Sequence, residues 1–299
     1  MSITSWPSVD TLTVNGIQIA YQSFGEPADI PVLLVMGLGT QMLAWPDDFC
    51  IGLAQQGHHV VRYDNRDVGL STHFDTAPAQ PFRSLFGLAK PAYRLVDMAR
   101  DAVGLIEALG WESCHLVGVS MGGMIAQNVV LLRPDLVRSL VSMSSTTGSL
   151  LVGKPRPDVL ASMLVARPAA DREEAVNNSM AMYRRIRSIG FPAEEDRIRA
   201  IAGVAYDRRY DPAGGTRQFS AILAAPDRTT ALKRVSVPTL VIHGTNDPLV
   251  NLTGGLATAA SIPGSRLVTI AGMGHDLPSP LWPQFVDEIG ITVAAGEGG

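Results

Sequence analysis

Six short, nearly continuous apolar runs recur along this 299-residue chain: PVLLVMG (Pro31–Gly37), HHVVRYDN (His58–Asn65), CHLVGVS (Cys114–Ser120), LVRSLVSM (Leu136–Met143), TLVIHG (Thr239–Gly244) and SRLVTIAG (Ser265–Gly272). A strand with one face in water alternates apolar and polar residues. A run without that alternation needs cover on both faces, which is the condition of strands in a parallel sheet. Helical patterns lie between the runs. Asp47–Gln56 stops at Gly57. Tyr93–Leu109 spaces Leu95, Met98, Ala102, Leu105 and Leu109 by three or four residues and stops at Gly110. Met121–Leu132 follows CHLVGVS directly and breaks before Pro134. Strand and helix in alternation imply right-handed crossovers and an α/β fold: one mostly parallel sheet with helices on both faces. Ahead of them, TLTV and IQIAYQSF flank Asn15-Gly16, the dipeptide of a tight hairpin. That hairpin adds antiparallel strands at one edge and brings the expected sheet to eight strands.

The rhythm fails between about Thr146 and Ala231, where no strand pattern is found. This stretch reads as helices near Pro157–Val165, Arg172–Ile189, Glu194–Tyr206 and Gly215–Leu223, punctuated by Pro168, Pro192, Asp211-Pro212 and Pro226. The expected layout is a core of residues 1–146 and 231–299, with residues 147–230 as a helical cap. Such a cap would sit over the carboxyl ends of the strands, where open α/β sheets bind ligands. The closing AAGEGG reads as a frayed tail.

With 46% hydrophobic and 17% charged residues the chain is a globular one. Its net charge of −4 carries no basic footprint for nucleic acid. Two cysteines, Cys50 and Cys114, are too few for a disulfide framework or a cysteine-based zinc site, and they read as small buried residues. No apolar run reaches the roughly 18 residues of a membrane span. The opening MSITSWPSVD lacks the charged and apolar regions of a secretory leader, so a cytoplasmic protein is expected. The charge is uneven: Ser149–Arg228 holds 13 Lys+Arg against 10 Asp+Glu. This local excess reads as a solvated face with internal salt bridges, with a weak peripheral contact to anionic lipid as the alternative. The oligomeric state is not readable.

Gly118-Val119-Ser120-Met121-Gly122 has the form G-x-S-x-G, and it ends a buried strand and opens a helix. That is the setting of a nucleophile elbow, a tight turn that lifts a serine hydroxyl above the sheet. Gly118 and Gly122 let strand and helix approach without a Cβ clash. A serine hydroxyl needs a base to become a nucleophile. His58, His59 and His115 begin their strands, at the wrong end of the sheet, and His73 lies in a loop. His243, inside TLVIHG, is a weaker candidate than His275, which follows the last strand in Gly272-Met273-Gly274-His275. The base needs an acid to fix its tautomer, and Asp247 follows TLVIHG in Gly244-Thr245-Asn246-Asp247-Pro248. Asp276, adjacent to the base, is poorly placed to reach Nδ1 of its own neighbour and reads as structural. Two backbone donors for an oxyanion are expected at Met121, just after the serine, and at Leu38 in the loop Met36-Gly37-Leu38-Gly39. Asp64, Arg66 and Asp67 in YDNRDVGLST read as a hydrogen-bonded loop beneath the site.

On LLVMGLGTQMLAW, VVRYDNRDVGLST, HLVGVSMGGMIAQ, VPTLVIHGTNDPLV and GMGHDLP the chain resembles the α/β-hydrolase superfamily. It looks most like the serine esterase branch that holds aclacinomycin methylesterase and the mycobacterial LipG-type lipase/esterases. The resemblance implies an α/β-hydrolase fold, the order Ser120, Asp247, His275, and ester hydrolysis with neither metal nor organic cofactor; the insertion shows no comparable motif. Met36-Gly37 departs from the His-Gly of many members, which removes a side chain but not a backbone donor. The insertion, rich in Ala, Met, Ile and Leu, suits an apolar pocket for an acyl or alkyl ester, or a thioester. Two alternatives stay open: perhydrolase, haloperoxidase or carbon–carbon bond hydrolysis by the same three residues, and a binding protein without catalysis.

Overall fold

The computed structural model describes residues 8–78, 83, 88 and 90–298. The apolar runs form one sheet whose strands are β1 (Asp10–Val14), β2 (Ile17–Phe24), β3 (Ile30–Val35), β4 (His58–Tyr63), β5 (Cys114–Val119), β6 (Val137–Met143), β7 (Thr239–Gly244) and β8 (Arg266–Ile270). Their order is β1-β2-β4-β3-β5-β6-β7-β8. The hairpin pairs β1 with β2, and β2 joins β4, both antiparallel; every other pairing is parallel. The sheet has the eight strands and the antiparallel edge read from the sequence.

Neighbouring residues of one strand feed opposite cores. Leu33 and Val35 pack with α2 (Leu95–Ala108) and α3 (Met121–Leu132), through Met98, Leu105, Ile125 and Val129. Val32 and Leu34 pack on the other face with α1 (Asp47–Ala54) and a carboxyl-terminal helix, through Phe49, Leu53, Phe285 and Ile289. Burial on both faces is the physical reason for the unbroken apolar runs.

The carboxyl terminus differs from expectation. The first four residues of AAGEGG are not frayed: the last helix runs over Trp282–Glu297, and Gly299 lies outside the described residues. Val293 is buried, and the Glu297 carboxylate meets His115 Nε2 at 3.0 Å and Arg138 Nη1 at 2.5 Å. Gly296 belongs in this helix because a Cβ there would come within 2.7 Å of the Arg138 carbonyl oxygen. Composition suggested a tail; packing against the amino ends of β5 and β6 makes a helix.

Between β6 and β7 the chain forms α4 (Pro157–Leu164), α5 (Arg172–Ile186), α6 (Glu195–Arg208) and α7 (Pro212–Leu223), then a single turn, α8 (Thr229–Leu232), that spans the expected boundary at residue 230. Among the described residues, α9 (Thr253–Ser261) lies between β7 and β8, and the carboxyl-terminal helix is α10. Caps fix the starts of α5 and α7: Asp171 Oδ1 accepts the Glu174 N–H at 2.9 Å, and Asp211 Oδ1 accepts the Gly214 N–H at 3.1 Å. Several arginines of this stretch are ion-paired: Arg172 with Asp207 and Arg184 with Glu195 at the surface, and Arg208 with Asp64 and Arg217 with Asp67 in buried pairs. Arg187 donates to the carbonyls of Ser188 and Phe191 at 3.0 and 3.3 Å. Among the described residues no helix is long and apolar enough to cross a membrane. Residues 1–7, on which the leader reading partly rests, lie outside them.

Candidate active site

The strand-to-helix corner between β5 and α3 is built from glycines in backbone contact. A Cβ on Gly118 would stand 2.3 Å from the Gly122 carbonyl oxygen, and one on Gly122 would stand 2.0 Å from the carbonyl oxygen of Val35. Ser120 sits at the apex with φ 56° and ψ −120°. Non-glycine residues rarely hold such a conformation, and surrounding bonds must enforce it. Here the Ser120 N–H donates to the Met143 carbonyl at 2.8 Å, and Ser145 Oγ donates to the Ser120 carbonyl at 2.8 Å. β6 therefore clamps the corner from the side.

The other two side chains come from loops after β7 and β8, and the two loops are stitched together. The Thr245 N–H donates to the Ile270 carbonyl and the Asn246 N–H to the Met273 carbonyl, each at 3.0 Å. A Cβ on Gly244 would strike the Met273 carbonyl oxygen at 2.2 Å. Asp247 Oδ1 accepts the N–H groups of Leu249 and Val250 at 2.9 and 2.8 Å, which turns Oδ2 toward the histidine. His275 Nδ1 lies 2.7 Å from Asp247 Oδ2, and His275 Nε2 lies 2.9 Å from Ser120 Oγ. With a carboxylate on Nδ1, the proton of a neutral ring belongs there, and Nε2 is free to accept the serine proton. Asp247 and His275 are both nearly withdrawn from solvent. Ser120, Asp247 and His275 thus stand in one hydrogen-bonded line.

His243 is not part of that line. Its Nε2–H donates to the Val250 carbonyl at 2.7 Å, and burial pushes its imidazole below the usual histidine range. It supports the turn that holds Asp247. Asp276 points away from the ring: its Oδ1 accepts Ser188 N–H at 2.7 Å and Ser188 Oγ–H at 2.5 Å. The carboxylates of YDNRDVGLST are saturated with donors. Asp64 accepts from Met42 N and Leu70 N, and Asp67 from Phe74 N, Tyr93 Oη and Arg217.

The loop after β3 lies against the serine. A Cβ on Gly37 would come within 3.3 Å of Ser120 Cβ. Leu38 follows it, and Met121 is the first residue of α3, where an N–H has no intrahelical acceptor. Two residues that sequence reasoning passed over hold this loop. Gln218 of α7 accepts the Gly39 N–H at 2.8 Å and donates to the Arg66 carbonyl at 2.8 Å. Gln41 donates to the carbonyls of Ala205 and Arg209 at 2.7 and 3.0 Å and accepts from Arg208. Neither glutamine carries a sequence signal, because its partner is more than 150 residues away.

A cavity of about 460 Å³ lies between this loop and α5, α6 and α7. Its walls are mainly apolar, with Met182, Ile186, Ile198, Ile201 and Ala202 on one side and Leu43 on the other. Ser120 and His275 do not line it; Gly39 and Thr40, of the loop that lies against the serine, do. At its polar end Asp67, His73 and Asp211 bring possible ligand atoms within 4.8 Å of one another. Arg217 occupies that cluster, donating to Asp67 at 2.8 Å and to Asp211 at 3.1 Å, so it is an ion-paired network as it stands.

Known proteins agree with this architecture. The chain is 28% identical to rhodomycin D methylesterase DauP of Streptomyces sp. strain C5 over 292 residues, 89% of this chain and 92% of that protein. It is 27% identical to 3-oxoadipate enol-lactonase 2 of Acinetobacter baylyi over 248 residues, 82% of each. The esterase RhEst1 from Rhodococcus sp. ECU1013 shares the fold with a TM-score of 0.73 at 20% identity, over 96% of this chain and 98% of that one. The sequence profile of the alpha/beta hydrolase fold matches residues 30–278, from the start of β3 to three residues past the histidine. By sheet order, by the corner at Ser120 and by that match, the chain belongs to the alpha/beta hydrolase fold family.

Proposed function

We propose that this protein is a serine hydrolase of carboxylic esters that works through an acyl-enzyme. The observation that carries the reading is the unbroken line from Ser120 Oγ to His275 Nε2 at 2.9 Å and from His275 Nδ1 to Asp247 Oδ2 at 2.7 Å. In the first step Ser120 Oγ attacks the ester carbon while its proton passes to His275 Nε2. Asp247 holds the ring and stabilises the imidazolium. The negative charge on the former carbonyl oxygen is met by the N–H groups of Leu38 and Met121, with the amino end of α3 behind them. His275 then gives its proton to the departing alkoxide, and an alcohol leaves. In the second half His275 takes a proton from water, the hydroxide attacks the acyl carbon, and the serine regains its proton as the acid is released. These steps use only side chains and backbone amides of the chain.

The helical segment of residues 147–230 serves in this reading as a cap over the site. The apolar walls of the cavity suit an alkyl, acyl or ring portion of the substrate. The methylesterase and enol-lactonase relatives, both named for cleavage of small-molecule esters, support the same class. Of the segment's arginines, Arg184 pairs with Glu195 at the surface, Arg187 donates to the Ser188 carbonyl, and Arg185 stands half-exposed 3.9 Å from Asp158.

Hydrolysis of p-nitrophenyl esters of increasing acyl length tests the reading. Ser120→Ala is expected to lose more than about 10³-fold in kcat, and a fluorophosphonate probe is expected to label the wild-type chain at Ser120 alone. Full activity in Ser120→Ala would overturn the assignment.

A further inference from the structure

We infer that Ser188 and Asp276 are a positioning pair through which the helical segment sets the loop carrying His275. The inference rests on the serine-hydrolase reading above and extends it to residues outside the hydrogen-bonded line.

The loop after β8 is not held by the sheet alone. Three consecutive residues of it are bonded to the stretch that leaves α5. Gly274 N–H donates to Ser188 Oγ at 2.8 Å, His275 N–H donates to the Ile186 carbonyl at 2.8 Å, and the Asp276 carboxylate accepts both the hydroxyl and the amide of Ser188. A fifth bond, from Gly190 N–H to the Gly272 carbonyl at 2.9 Å, closes the seam. The two backbones touch. A Cβ on Gly274 would lie 2.4 Å from the Ile186 carbonyl oxygen, and one on Gly190 would lie 2.8 Å from Gly272 Cα. Ser188 is 2% exposed, so its hydroxyl is committed to this junction.

The chemistry of the pair is one of geometry. The Ser188 hydroxyl has one proton and gives it to Asp276, while its oxygen accepts the N–H two residues earlier. This fixes the backbone on both sides of His275. Asp247 already occupies Nδ1, so Asp276 has no claim on the ring; it acts on where the ring stands. Ile186, whose carbonyl accepts the His275 N–H, also lines the cavity. The wall that meets substrate and the strut that aims the base are therefore one piece of chain. A misplacement of about 1 Å at a reacting group can cost on the order of 10²-fold in rate.

The test is steady-state hydrolysis of a p-nitrophenyl ester by full-length Asp276→Ala, Asp276→Asn, Ser188→Ala and Ser188→Thr variants, with Ser120→Ala as a blank. Folded protein is counted by circular dichroism and by melting midpoint. Asp276→Ala and Ser188→Ala are expected to lose about 10- to 100-fold in kcat with KM within about twofold. Asp276→Asn and Ser188→Thr keep an acceptor and a hydroxyl, and are expected to recover most of the loss. Equal kcat in wild type and both alanine variants would overturn the positioning role, as would a loss confined to KM or one that the conservative variants fail to recover. If one alanine variant does not fold, the other decides by the same criteria. A wild-type chain that hydrolyses no ester and takes no fluorophosphonate would instead overturn the underlying reading, and the two failures are told apart by that measurement.

Discussion

At the elbow, glycine and serine divide one task. Ser120 must hold a positive φ of 56°, and its neighbours must let β5, α3 and β3 come together at backbone distance. The glycines at 118 and 122 are each irreplaceable for a steric reason, since the atoms that a Cβ would strike are backbone carbonyls of the sheet and helix. Flexible side chains could move aside; these atoms cannot. Gly122→Ala is therefore expected to destabilise the fold by about 1–3 kcal/mol, as overpacking does in a rigid core, and to reduce ester hydrolysis with it. Urea unfolding checks the first part, and a midpoint unchanged from wild type would contradict it. This corner was legible in the sequence because every constraint on it is local: five consecutive residues after an apolar run specify it. Ser188 was not legible. It is one serine in a helical stretch, and its partners Gly274 and Asp276 lie 86 and 88 residues away.

The helical segment between β6 and β7 leaves and rejoins the core at one clasp. Arg228 is buried there and donates from Nε to Gln127 Oε1 at 3.0 Å, from Nη2 to the Thr146 carbonyl at 3.0 Å and from Nη1 to the Pro226 carbonyl at 3.3 Å. Its own N–H donates to the Thr147 carbonyl at 2.8 Å, and Thr229 Oγ1 meets Thr147 Oγ1 at 2.9 Å. Burial pushes the guanidinium pKa down to about 10. It is still charged at neutral pH, and its charge is spread over carbonyl oxygens. Arg228→Ala leaves a buried amide and two carbonyls without their donor, and is expected to destabilise the protein by about 2 kcal/mol or more. Limited proteolysis is expected to cut the variant near residues 146–148 or 226–228 faster than wild type; an unchanged cleavage pattern and midpoint would remove the clasp from the account. The helices of the segment were found in the sequence to within a few residues, because prolines and apolar spacing mark them. Their attachment to Gly39, Asp64, Asp67 and Asp276 was not, because the partners Gln218, Arg208, Arg217 and Ser188 read equally well as solvated surface.

Over the whole molecule, four histidines share one electrostatic fate. His58, His59, His115 and His243 are buried, and burial holds each imidazole below the ordinary histidine pKa of about 6.5. The unfolded chain takes up these protons near that value while the folded one resists. Their contribution to stability is thus complete above about pH 6.5 and is lost as pH falls through the lower folded-state values. Asp276, raised by burial, works with the opposite sign: its contribution is present in acid below the ordinary carboxylate range and is lost as pH rises through its folded value. The urea midpoint is expected to be lower at pH 5.5 than at pH 7.5, and replacing His243 with glutamine is expected to flatten part of that slope. A midpoint that rises on acidification would contradict the account.

The order of strands and helices, the parallel sheet with its antiparallel edge, and the choice of Ser120, Asp247 and His275 as the proposed nucleophile, acid and base were read from the sequence. Each depends on local pattern: apolar runs, glycine at tight corners, and a loop placed just after a strand. Tertiary structure alone decided that the last helix reaches Glu297, that Gln218 and Gln41 grip the loop after β3, and that Ser188 and Asp276 tie the helical segment to the histidine. These contacts join residues far apart in the chain. Whether a polar side chain meets water or a distant partner is settled only when packing brings the two together and excludes solvent.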